Sequence, residues 1–445
     1  MTKLGWIVDL AIESSSPRNT AGTGLDLVIS GKFCHLMLLL ALPAAGRGLS
    51  YAQGKRMKVE THHRIKPRTT RHAPRNCPMR ILTAVPICDG HDSAIVTINL
   101  ELVRAGIEVI YLGYHRSVRD IVRAALQEDV RAIGLSSYNG GHVEFFSEVL
   151  NGLRRAGARN IGVFGGGGGT ITPADTKLMK QRGVDKIFFA STPLNEMVEW
   201  VKRTYHPPRN SSTPPRKHKG RLTDRNLSNC LTAAERGSRL WTANAKPSTP
   251  VLGFTGPGGA GKTTLIDELA LRFLNARPGG RLAILSHDPS AVGKGALLGD
   301  RATMIYAQND RVFMRSLATH GQSGGLSLGT RGCVSLLRDA GFDLVLVESA
   351  GIGQEDAPFA RGLVDKQIFV SSPEYGGRLQ LQKIVMLDVA DVVVVNKADR
   401  PGAKTALAEI EQRLAMNGGE QKLIATIAKE HGDRGVDRLF AEVTR

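Results

Sequence analysis

The run Gly256-Pro257-Gly258-Gly259-Ala260-Gly261-Lys262-Thr263 constrains this chain more than any other feature. The apolar stretch VLGFT (251–255) precedes it, and TLIDELALRFL (264–274) follows with apolar residues at helical spacing. Strand, glycine loop and helix in that order predict a phosphate-binding loop at the centre of an α/β domain. Backbone N–H groups of Gly258, Gly259, Ala260 and Gly261 would cradle phosphate at the helix N-terminus, with Gly256 and Thr264 at the two ends of the cradle. Lys262 would reach the β and γ phosphates, and Thr263 would hold Mg²⁺.

The base is indicated further along. Val392–Val395 reads as a strand, and Asn396-Lys397-Ala398-Asp399 follows it about 130 residues after the phosphate loop. A carboxylate at Asp399 can accept from both the ring N–H and the exocyclic amine of guanine, a donor pair that adenine lacks. The expected nucleotide is therefore GTP, and Thr426-Ile427-Ala428 occupies the place of a second base-contacting loop. Between these motifs, LVLV (344–347) ends in Glu348-Ser349-Ala350-Gly351. Glu348 is expected near Mg²⁺, and the N–H of Gly351 near the γ phosphate. Asp288, after the strand 282–286, is a further acidic candidate for Mg²⁺. Residues 289–304 have the glycine content of a mobile switch, and Gln354 is a candidate for positioning water.

Upstream, strand and helix patterns alternate over 78–205: strands at RILTAV (80–85), EVIYL (108–112), 132–136, 160–164 and 187–189, and helical patterns at 94–105, 118–128, 143–155 and 193–205. This predicts a second α/β domain, again doubly wound around a parallel sheet. In such sheets ligands bind beyond the carboxyl ends of the strands. Asp89 and His91 follow the first strand, Ser136 and Ser137 the third, and the five glycines 165–169 the fourth. Glycines there let backbone lie flat against a ligand.

Asp89-x-His91, the Ser136-Ser137-Tyr138 strand end and the glycine loop resemble the cobalamin-binding domain of adenosylcobalamin-dependent mutases. The runs DGHD, ALQEDV, SSYNGGHVEFF and VFGGGGG, with DPSAVGKGALLGDR, VESAGIGQ and LDVADVVVVNKAD in the second half, are similar to the fused isobutyryl-CoA mutases. The resemblance covers about 78–205 and 250–445. It implies a flavodoxin-like cobalamin-binding domain followed by a P-loop GTPase of the metallochaperone kind. His91 would ligate cobalt, and Asp89 would fix the imidazole tautomer. The cofactor's nucleotide tail would lie along Ser136 and Gly167, Gly168 and Gly169. The family's catalytic barrel would come after residue 445, so isomerisation of acyl-CoA is expected only with a separate catalytic subunit. The cofactors implied are adenosylcobalamin, GTP and Mg²⁺; the partners are an acyl-CoA mutase catalytic subunit and, in one assembly the resemblance admits, a second copy of the chain. The alternatives are a cobalamin carrier or sensor with a regulatory GTPase, or the remnant of a fused mutase.

Charge bears on one competing class. The 445 residues carry a formal net charge of +18, which invites a nucleic-acid reading. Residues 1–77 hold +8 and 206–250 hold +7, so the two folded stretches are nearly neutral. Neither basic segment has an aromatic stacking platform, so nucleic-acid binding is not expected. The chain therefore divides into an extension (1–77) without regular period, a cobalamin-binding domain (78–205), a basic linker (206–249) with one short helix near 227–236, and a GTPase domain (250–445). The apolar run LMLLLALPAA (36–45) is too short to span a bilayer and lacks a preceding basic region, so neither export nor membrane insertion is expected. The five cysteines make no CxxC pair, which argues against a zinc site or disulfide framework. A cytoplasmic protein is expected.

Overall fold

The computed structural model describes residues 78–87, 89–206, 222–237, 249–351, 357–375, 384–418 and 420–445. The extension over 1–77, most of the linker and Gln354 lie outside the described residues.

In the first half, β1 (Arg80–Ala84), β2 (Glu108–Tyr111), β3 (Ala132–Ser136), β4 (Gly162–Gly166) and β5 (Lys186–Phe188) alternate with α1 (Ser93–Arg104), α2 (Val118–Gln127), α3 (His142–Arg155), α4 (Pro173–Arg182) and α5 (Leu194–Tyr205). The strands run parallel in the order β5-β4-β3-β1-β2, the flavodoxin-like arrangement. The order reverses between β1 and β3, so the loops after those two strands meet at the switch point. β1 is buried along its whole length because helices cover both faces. Helix α4 was not anticipated. It buries only Thr176 and Met179, so it has no apolar stripe to read. What starts it is local: a Thr172–Asp175 capping box with Pro173 in the first turn, closed by Gly183 at φ 112.

The second half contains β6 (Val251–Thr255), α7 (Lys262–Ala276), β7 (Leu282–Asp288), β8 (Ala296–Leu298), α8 (Asp300–Thr303), β9 (Val312–Ala318), α9 (Thr330–Asp339), β10 (Leu344–Glu348), β11 (Lys366–Ser371), β12 (Val392–Val395) and β13 (Lys422–Ala425). Seven strands form a parallel sheet in the order β13-β12-β11-β6-β10-β7-β9. The strand leading into the phosphate loop, β6, is central.

Strand β8 does not belong to that sheet. It pairs in parallel with β2 of the first half, in the register Glu108↔Ala296, Val109↔Leu297 and Ile110↔Leu298. The segment 289–304, expected as a mobile switch, thus contains the sixth strand of the other half's sheet. Its alternation explains the docking. Ala296 and Leu298 are buried in the first half's core with Leu82, Ile110 and Leu112, while Leu297 points outward. Burying Leu298 alone stabilises the contact by roughly 1.5–3 kcal/mol.

Helix α6 (Asp224–Glu235), inside the linker range, packs between the halves. Ser228 donates to the Leu126 carbonyl at 2.6 Å, Thr232 donates to Asp129 at 2.7 Å, and Arg315 of β9 donates to Glu235 at 2.8 Å. Its buried face, Leu227, Cys230 and Leu231, joins the core under α9. Among the described residues no helix is long and apolar enough to cross a membrane.

Candidate functional site

At the first switch point, Asp89 is fully buried in the loop after β1. One carboxylate oxygen accepts from the His91 backbone N–H at 3.0 Å and stands 2.8 Å from His91 Nδ1. The other accepts from the backbone N–H groups of Tyr138 and Asn139, after β3. Burial alone would raise its pKa. The N–H groups of His91 and Tyr138, the His91 ring and the Asn139 N–H outweigh that and hold the carboxyl below its ordinary value. An ionised carboxylate can only accept, so Nδ1 carries the proton that faces Asp89, and in the neutral ring the lone pair is on Nε2. The imidazole is 62% exposed and lies with its centroid 4.8 Å from the Tyr138 ring. The result is a tautomer-fixed, outward-facing imidazole, the donor that a cobalt ion can use.

A cavity of about 350 Å³ lies beside this loop, between the sheet and α1 and α5. Its walls include Ile95, Ser136, Gly167, Gly168, Phe188 and Met197. The glycine run has two causes. A β-carbon on Gly167 would lie 1.9 Å from the Ser137 carbonyl oxygen, so the close approach of protein backbone already demands glycine there. Gly169 has φ +101 and nothing within 4 Å of a β-carbon position, so its requirement is conformational. The cavity and the exposed imidazole suit a flat ligand whose tail enters between the sheet and these helices.

In the second half, Gly261 at φ 90 turns the phosphate loop into α7. Gly258, Gly259 and Thr264 are exposed, and Ala260 is buried. The Lys262 ammonium is buried and donates to the carbonyls of Gly256 and Pro257 at 3.0 and 3.2 Å. Burial lowers its pKa, and the charges of Glu348 and Asp300 oppose the shift. Gly351 closes over the loop: a β-carbon there would lie 2.9 Å from the Gly258 backbone.

Thr263 donates to Glu348 at 2.8 Å, with Asp300 at 3.5 Å. Ser286 donates to Asp300 and stands 3.4 Å from Glu348. Asp288 ends β7, and its Oδ2 is enclosed without a hydrogen-bond partner. Burial, then the charges of Asp300 and Glu348, pushes Asp288 up to about 9. Burial and Asp300 push Glu348 up to about 8, against the opposing charge of Lys262. Burial raises Asp300 as well. Three crowded carboxylates with one ammonium fit a divalent cation as the absent countercharge. No group of three His, Cys, Asp or Glu side chains among the described residues forms a cage by itself. Mg²⁺ needs none, since it is held by one or two carboxylates together with phosphate and water oxygens.

Asp300 escaped sequence reasoning. It follows a three-residue strand and stands in the run DPSAVGKGALLGDR that carries the resemblance, yet of that run's two acidic residues only Asp288 is read as a cation ligand.

The base loops are joined to the phosphate loop. Asn396 is buried, donates to the Ala260 carbonyl at 2.9 Å, and accepts from Thr426 Oγ1 at 3.1 Å and the Ala428 N–H at 3.0 Å. Thr426 is fully buried, so it braces Asn396. Lys397, at φ 59, reaches the Gly259 carbonyl. The Asp399 carboxylate faces Lys429 at 2.5 Å, and that hydrogen bond lowers its pKa.

Comparison with known proteins finds matches over both halves. Residues 79–195 match the family described as B12 binding domain, and residues 236–445 match the one described as Methylmalonyl Co-A mutase-associated GTPase MeaB. The fused isobutyryl-CoA mutase of Geobacillus kaustophilus is 38% identical over 389 residues, which cover 81% of this chain and 36% of the relative. That of Cupriavidus metallidurans is 38% identical over 388 residues, covering 81% and 35%. The chain thus spans about a third of the length of these relatives.

Proposed function

Because the chain joins a B12-binding domain to a GTPase domain of the MeaB family, and is homologous over both to the fused isobutyryl-CoA mutases, we propose that this cobalamin-binding GTPase serves as the cofactor-loading part of an acyl-CoA mutase and works with that enzyme's catalytic barrel. The observation that carries the reading is the sharing of one sheet by both halves. The segment between β7 and α8, which borders the phosphate site, ends as a strand of the cobalamin-binding sheet.

On this reading GTP hydrolysis rests on positioning. Lys262 leaves the Gly256 and Pro257 carbonyls for the β and γ phosphates. Thr263, Glu348, Asp288 and Asp300 hold Mg²⁺, which supplies neutralising charge to the phosphate oxygens. Gly351 presents its N–H to the γ phosphate, and Asp399 with the Asn396-braced loop selects guanine. Gln354 is assigned to orienting water.

In the other half His91 Nε2 would hold the cobalt of adenosylcobalamin, which would supply the homolysable bond for rearrangement chemistry. Asp89 holds the ring and its proton. Ser136 and Gly167–Gly169 flank the cofactor's nucleotide tail.

The test is purification with adenosylcobalamin and GTP, followed by an isobutyryl-CoA assay with and without a candidate mutase subunit. Isomerisation by the pair, with hydrolysis of GTP by this chain alone, is expected. Failure of every acyl-CoA mutase subunit to gain activity would favour a carrier or sensor.

A further inference from the structure

Asp300 and Arg301 are neighbours in the chain that serve opposite halves of the molecule. Asp300 faces Ser286, Thr263 and Lys262 in the phosphate site. Arg301 is fully buried and turned the other way, onto the C-terminal end of α2 in the cobalamin-binding half. Its Nε and Nη2 donate to Glu128 at 3.2 and 3.1 Å. Both Nη atoms donate to Gln127 at 3.2 Å, and Nη2 also reaches the Met314 carbonyl at 2.6 Å.

Glu128 is itself over-determined. It is fully buried, bonds Arg80 at 2.7 Å, and accepts from the Ser316 N–H and hydroxyl at 3.1 Å. Arg80 in turn bonds Glu108 at 2.8 Å, on β2. That is the residue whose backbone registers with Ala296 of β8. Gly295 permits the approach, because a β-carbon there would lie 2.0 Å from the Ile107 carbonyl oxygen. Residues 295–301 are therefore held at one end by strand pairing and at the other by a buried guanidinium. The strand pairing and the Glu128 and Gln127 contacts belong to the cobalamin-binding half, and the Met314 carbonyl on β9 adds one bond from the other half.

A charge in such surroundings is costly to leave unmatched, so Arg301 has one well-defined seat. Asp300, one peptide bond away, can meet Thr263 only while that seat is occupied. We propose that Glu128 and Gln127 are positioning residues for the GTPase reaction: by seating Arg301, the cobalamin-binding half sets the place of Asp300 at the cation site. Because coupling between sites is reciprocal, nucleotide and cation also set the position of β8 against β2. The proposal rests on the reading of Asp300 as a member of the Mg²⁺ site.

The experiment uses the full chain, with GDP as the probe. Binding is measured in EDTA and across a Mg²⁺ titration, and hydrogen exchange is followed over 296–303. Glu128→Gln and Gln127→Ala are each expected to leave GDP affinity in EDTA unchanged. Each should raise the Mg²⁺ concentration at the binding midpoint about tenfold, an ordinary coupling magnitude, and speed exchange over 296–303. Gln127→Ala keeps both charges and decides the matter if Glu128→Gln fails to fold. Asp300→Asn separates the two claims. If it leaves the Mg²⁺ midpoint unchanged, the cation-site reading falls. If it shifts the midpoint while a folded Gln127→Ala or Glu128→Gln does not, the positioning role alone is overturned. Equal loss of GDP affinity with and without Mg²⁺ would also overturn it, as general loosening.

Discussion

Asn396 donates to the Ala260 carbonyl at 2.9 Å, so the loop proposed to select the base is bonded to the loop proposed to grip the phosphates. Asp399, three residues on, is thereby held at a fixed distance from the phosphate cradle. Asp399→Asn should lower GTP affinity by about tenfold or more, since two hydrogen bonds to a charged acceptor are weakened. Competition between GTP and ATP measures it; unaltered guanine preference would place the base elsewhere.

Lys262→Ala should reduce GTP hydrolysis by about 10²–10³-fold, the usual effect of removing one charge-stabilising donor. In the structure Lys262 donates to carbonyls of its own loop and its charge offsets Glu348 and Asp300, so the variant should keep its fold with a lowered melting temperature. Steady-state phosphate release with a matched thermal melt reports both quantities. Full turnover would refute the assignment.

The raised carboxylates make the proposed cation site a stability liability. Glu348 and Asp288 sit near 8 and 9 against ordinary values near 4, so the folded state binds protons that the unfolded state has lost. Stability of the nucleotide-free protein should fall as pH rises from about 4 to about 9, and Mg²⁺ with GDP should flatten that slope. Glu348→Gln should raise the Tm of the nucleotide-free protein by a few degrees at pH 8, while abolishing the Mg²⁺ effect. A melt series across pH, with and without Mg²⁺, tests both signs.

Asp89 works in the opposite direction. Its folded pKa is depressed, so the stability it contributes is complete above about pH 4 and is lost as pH falls through the folded value. Cobalamin binding through His91 should accordingly keep its carboxylate brace from pH 5 to 8. His91→Ala should remove the imidazole signature from the bound-cobalamin spectrum. Asp89→Asn should weaken binding by roughly 10–100-fold, as loss of a ligand-orienting partner does. An unchanged spectrum for His91→Ala would exclude the histidine as ligand.

Much of this was legible in the sequence because it is local. The phosphate loop needs only a strand, an eight-residue run and a helix, and Asp89 reaches His91 across one intervening residue. Asp399 follows its strand directly. What was hidden depends on contacts distant in sequence. Asp300 acquires meaning only when Arg301 finds Glu128, 173 residues away. Strand β8 has three residues and no partner within its own half. Helix α6 lies in a basic stretch whose composition resembles a linker, and its order comes from Leu126, Asp129 and Arg315. Even the glycine run mixes two signals that the letters cannot separate, since Gly167 is fixed by the Ser137 carbonyl before any ligand is considered.

The pairing of β8 with β2 has a practical consequence for anyone who would cut the chain into its two halves. A break anywhere between 206 and 249 leaves β2 as a bare sheet edge, and edges of that kind recruit strands from other molecules. The same break strips the Glu128 carboxylate of Arg301 and leaves β8 without a sheet. Separately expressed halves should therefore aggregate or exchange strands, whereas mixing them should restore a soluble pair. The unit that can be moved between proteins is the whole stretch from 78 to 445.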